Sequence, residues 1–61
     1  MSLRAELGSV SSSVDLLVER INEITGQMRP DDVHPSLHEI ERSLATAARR
    51  LHLLLRELPD S

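Results

Sequence analysis

A chain of 61 residues is at most one small domain. It has no cysteine and no aromatic residue, which excludes disulfides, cysteine-based metal sites and the side chains that dominate most compact cores. Ten acidic against seven basic residues leave a net charge of -3, a balance unsuited to general nucleic-acid binding.

The apolar residues are Leu, Val, Ile, Ala and Met, a set suited to helices packed on helices. The N-terminus shows no basic segment followed by an apolar run, so no signal peptide is expected. No uninterrupted apolar run is longer than Leu53-Leu54-Leu55, far short of a membrane span. The expected location is the cytoplasm. The basic residues are all arginine, a usage that fits a GC-rich bacterial coding sequence.

The first predicted element is a helix over about 3–26, capped by Ser2. The stretch GSVSSSVDLL, Gly8 to Leu17, holds one glycine and four serines, poor or middling helix formers. Apolar residues nevertheless recur at Leu3, Leu7, Val10, Val14, Leu17, Ile21, Ile24 and Met28, in alternating steps of four and three. That period of about 3.5 residues belongs to a left-handed coiled-coil seam. In a heptad lettered a to g, Leu7, Val14, Ile21 and Met28 take a, while Leu3, Val10, Leu17 and Ile24 take d. The serines fall off this seam, with Ser11 at e, Ser12 at f and Ser13 at g.

A loop follows over about 27–35, marked by Gly26, Pro30, Asp31, Asp32 and Pro35. A second helix is predicted over about 36–58. Two starts compete: Ser36 with Glu39 forms a capping box, and Asp31 or Asp32 can cap one turn earlier with Pro35 in the first turn. Its apolar positions are Val33, Leu37, Ile40, Leu44, Ala47, Leu51, Leu54 and Leu58, with Leu37, Leu44, Leu51 and Leu58 at a. Folded back antiparallel, Leu3 meets Leu58, Leu7 meets Leu54, Val10 meets Leu51, Val14 meets Ala47, Leu17 meets Leu44, Ile21 meets Ile40 and Ile24 meets Leu37. Every a then faces a d. The expected fold is all-α: a helix-loop-helix hairpin with coiled-coil heptads, dimerising into an antiparallel four-helix bundle.

Dimerisation is expected because the positions flanking the seam are small or apolar. Ser11, Ser13, Val18, Ala48 and Leu55 stand at e or g, where a lone two-stranded coil usually places charges. Leu16 and Leu53 also lie off the seam. One apolar seam falls short of the entropy cost of ordering such a chain, so a second hairpin is the natural complement.

Other features are weaker. Arg42, Arg49 and Arg56 repeat at f, with His38 and His52 beside them at b, making the outside of the second helix basic. This face suits an acidic partner surface, or is simply solvated with local pairs such as Glu39 with Arg42. RNA recognition would call for stacking aromatics, which are absent. In plan, though in no motif, the chain is similar to Rop-type plasmid RNA-binding proteins, which are hairpin dimers. Leu51, Leu54 and Leu55 fit an L-x-x-L-L docking pattern, but they also fill a, d and e of the bundle. Arg49, Arg50 and Arg56 around these leucines would suit a membrane-surface helix, a use that self-assembly pre-empts. His34 and His38 are four apart, but Pro35 and Ser36 intervene, so no metal or cofactor is expected. Serine, histidine and aspartate show no triad spacing, and no enzyme activity is expected. The expected role is a small protein–protein interaction module acting as adaptor or regulator. The alternatives are a hairpin that folds on a larger protein, as a regulatory subunit or anti-factor, and a nucleic-acid-binding dimer using the arginine column.

Overall fold

The Ser2 hydroxyl accepts from the Ala5 amide at 3.3 Å and so opens the first helix, α1, Leu3–Gln27. In the computed structural model, which describes residues 2–59, α1 is followed by a short 3-10 turn, Pro30–Asp32, and a second helix, α2, Pro35–Glu57. The described residues are otherwise loop, and the two helices pack on one another as a hairpin.

Alpha-helical geometry survives the serine-rich stretch because its apolar residues recur on one side and its small residues crowd nothing. A Cβ placed on Gly8 would meet nothing within 4 Å. The second helix starts at neither of the positions the capping patterns favour. Pro35 takes the first helical position, where its missing N–H costs nothing. His34 is the cap, its Nδ1 accepting from the Ser36 amide at 3.1 Å. The ring proton therefore sits on Nε2. Leu58, followed by Pro59, ends α2, its amide bonding the Leu54 carbonyl at 3.0 Å.

Exposure shows how the helices face each other. On α1 the less exposed residues include Leu7, Val14 and Ile21 at a, and Ser11, Val18 and Thr25 at e. On α2 they include Leu37, Leu44 and Leu51 at a, and Glu41, Ala48 and Leu55 at e. The hairpin thus closes through a and e, a rotation of each helix away from the a/d pairing expected from the heptads. Ser11, Val18, Ala48 and Leu55, expected on the flank, lie between the helices. Leu3, Val10, Leu17, Ile24, Ile40, Ala47 and Leu54, expected in the seam, are exposed. The cause is local. Ser11 and Ala48 are small enough for the helices to approach closely at e, and Ser11 is the one buried residue among those described, at 4 % exposure.

Polar ties hold this rotation at both ends. The Arg4 Nε donates to the Leu55 carbonyl at 3.3 Å, meeting an acceptor in the last turn of α2 that lacks a helical donor. Near the loop, the Thr25 hydroxyl lies within reach of the Ile21 carbonyl, at 2.9 Å, and of the Glu41 carboxylate, with one proton to serve both. Arg4, Leu55, Thr25 and Glu41 are all e residues.

The hairpin is long and thin, 48 × 14 × 12 Å, with a radius of gyration of 14.4 Å. A compact chain of this length would have about 10–11 Å. No described helix is long and apolar enough to cross a membrane.

Candidate interaction surface

Around a heptad helix the columns run in the order d, a, e, b. When two antiparallel helices meet through a and e, both d columns therefore emerge on one side of the hairpin and both b columns on the other. Asp15 and His52, both at b, mark the second side, where the imidazole Nε2 sits 3.0 and 3.1 Å from the two carboxylate oxygens. The pair is solvent-exposed and contributes little to stability.

The d side is apolar along its length. Leu3, Val10, Leu17 and Ile24 of α1 and Ile40 and Leu54 of α2 are 41–75 % exposed. Ala47 lies exposed among them. Beside it, Ser43, Thr46, Ala47, Leu51 and Leu54, with Arg42 and Arg50, line an open depression. The g residues edge the face, all exposed: Glu6, Ser13, Arg20 and Gln27 along α1, and Ser36, Ser43, Arg50 and Glu57 along α2.

No apolar side chain among the described residues is buried. The accessible surface is 5080 Å², against about 4,000 Å² for a compact monomer of this mass. Each chain thus carries an excess of roughly 1,000 Å², so two chains covering it would bury about 2,000 Å² in all, enough for a stable protein interface.

The other sequence candidates are placed as follows. Arg42, Arg49 and Arg56 stand exposed along f of α2, and none forms an ion pair or side-chain hydrogen bond among the described residues, Glu39 included. His38 is exposed at b, and His52 is held by Asp15. Leu51 and Leu55 are half-buried against α1 while Leu54 points to the open face, so the three leucines do not share a free surface. The His34 Nδ1 is taken up by the cap, and no group of three or more metal-ligating side chains occurs among the described residues. The sequence reading missed the His34 cap, because histidine is not a usual capping residue. It also missed the inward side of e, whose signal was the small pair Ser11 and Ala48.

The comparisons identify no relative: no family model, no curated protein and no solved structure matches the chain.

Proposed function

We propose that this chain is a self-association module, a helical hairpin whose apolar d face pairs with the same face of a second copy to form a four-helix coiled-coil bundle. The observation that carries this reading is an exposed apolar face running the length of both helices, in a hairpin whose inner apolar residues are only half-buried. In that assembly each helix uses three columns: a and e within its own hairpin, a and d between hairpins. The role is that of a small adaptor or regulator, with assembly state as the property it contributes.

A second reading concerns the outer side of α2. The column Arg42, Arg49 and Arg56, which forms no ion pair among the described residues, supports a docking face for an acidic protein partner. The binding of nucleic acid by the same column is the rival use, and strong salt dependence would be its mark.

The test of self-association is Leu17→Asp, which places a charge on the d face without entering the contact between α1 and α2. Sedimentation equilibrium is expected to give the single-chain mass for the variant and twice that mass for the parent. A variant that still sediments as a dimer would remove the d face from the interface.

A further inference from the structure

The d face can pair with its own copy in two ways. A two-fold axis along the hairpin sets the loops at the same end, with α1 lying on α2 of the second copy. A two-fold axis across the hairpin sets the loops at opposite ends, with α1 on α1 and α2 on α2. All touching helices are antiparallel in either case, so helix packing alone does not choose.

The charged edge chooses. With loops together, the g residues that meet are Glu6 with Glu57, Ser13 with Arg50, Arg20 with Ser43, and Gln27 with Ser36 of the second copy. Two acid–acid contacts result, one at each side of the open end, and like charges in facing positions destabilise. With loops apart, the apolar column of α1 meets itself as Leu3 on Ile24 and Val10 on Leu17 of the second copy. The g residues that then meet are Glu6 with Arg20, twice by symmetry, and Ser13 with Ser13 at the axis. On α2 the same operation sets Ile40 on Leu54 and Ala47 on Ala47, with Ser43 beside Arg50 and Ser36 beside Glu57. No like charges face each other, and the two thinnest places on the face, Ser13 and Ala47, come together at the middle.

We infer that the second copy binds with its loop at the opposite end, α1 against α1, selected by two Glu6–Arg20 pairs and closed at the two-fold axis by Ser13. This rests on the self-association proposed above and specifies its geometry.

The chain has no cysteine, so introduced thiols report contacts directly. Ser13→Cys is expected to form a disulfide-linked dimer rapidly under mild oxidation, because the two introduced thiols would flank the axis. A mixture of Glu6→Cys and Glu57→Cys chains is expected not to cross-link. Charge reversal gives an independent reading. Glu6→Arg sets arginine against arginine in the loops-apart arrangement and is expected to raise the dimer Kd about tenfold. Restoring complementarity with Glu6→Arg/Arg20→Glu is expected to recover most of that loss. With loops together, Glu6→Arg would instead face Glu57 and tighten the dimer. A dimeric protein that links Glu6→Cys to Glu57→Cys, or that tightens on Glu6→Arg, overturns the arrangement and leaves self-association standing. A parent protein that is monomeric by light scattering overturns both.

Discussion

Ser11 decides how the two helices meet. It is the one buried residue among those described, and it faces the α2 column that carries Ala48. A larger side chain at this position has no room unless the helices part. Ser11→Leu is therefore expected to cost about 1–3 kcal/mol in urea unfolding at fixed protein concentration, whereas Ser11→Ala stays within about 0.5 kcal/mol. An unchanged midpoint for Ser11→Leu would contradict the close approach at e. Gly8 makes the opposite case. It sits in the interior of α1 with open space where a Cβ would go, so it supplies conformational freedom to the unfolded chain and nothing to packing. Gly8→Ala is expected to raise stability by about 0.5–1 kcal/mol. A loss of stability would mean that a neighbour, such as a second chain, approaches this point.

At the scale of the element, each helix carries a stripe three columns wide, and the columns have different duties. Leu44 at a lies against α1, so Leu44→Asp is expected to cost at least about 2 kcal/mol and to abolish most helicity in circular dichroism. Retained helicity in that variant would place a outside the hairpin contact. The period of this stripe was readable from the sequence because alternating steps of four and three tolerate no other regular structure. The phase was not. Leu3, Leu7, Val10 and Val14 define a and d by apolarity alone, while Ser11 and Ala48 owe their inward position to small size, which hydrophobic periodicity does not register. The polar ties at e were equally hidden. Apolar periodicity says nothing of Arg4 and Glu41, whose partners, a carbonyl of the last turn and a threonine hydroxyl, come into reach only when α1 and α2 are set side by side. Of the candidate surface, the sequence named the residues but divided them differently between the inside of the hairpin and the outside.

The whole molecule is a rod with one dry-looking side. Its radius of gyration of 14.4 Å and surface of 5080 Å² both exceed what a compact chain of its size shows. Six of the large apolar residues left exposed, Leu3, Val10, Leu17, Ile24, Ile40 and Leu54, share the d face, while Leu16 and Leu53 at c and Met28 at a lie off it. The chain has no aromatics or disulfides to supplement its packing, and covering the d face with a second copy would supply the missing burial. Folding and association are therefore expected to be linked, so that stability depends on protein concentration. The most direct measurement is the molar mass by light scattering across a dilution series, with helicity recorded on the same samples. The account predicts twice the chain mass of 6.8 kDa at high concentration, with mass and helicity falling together on dilution. A single-chain mass at every concentration, with full helicity throughout, would contradict it.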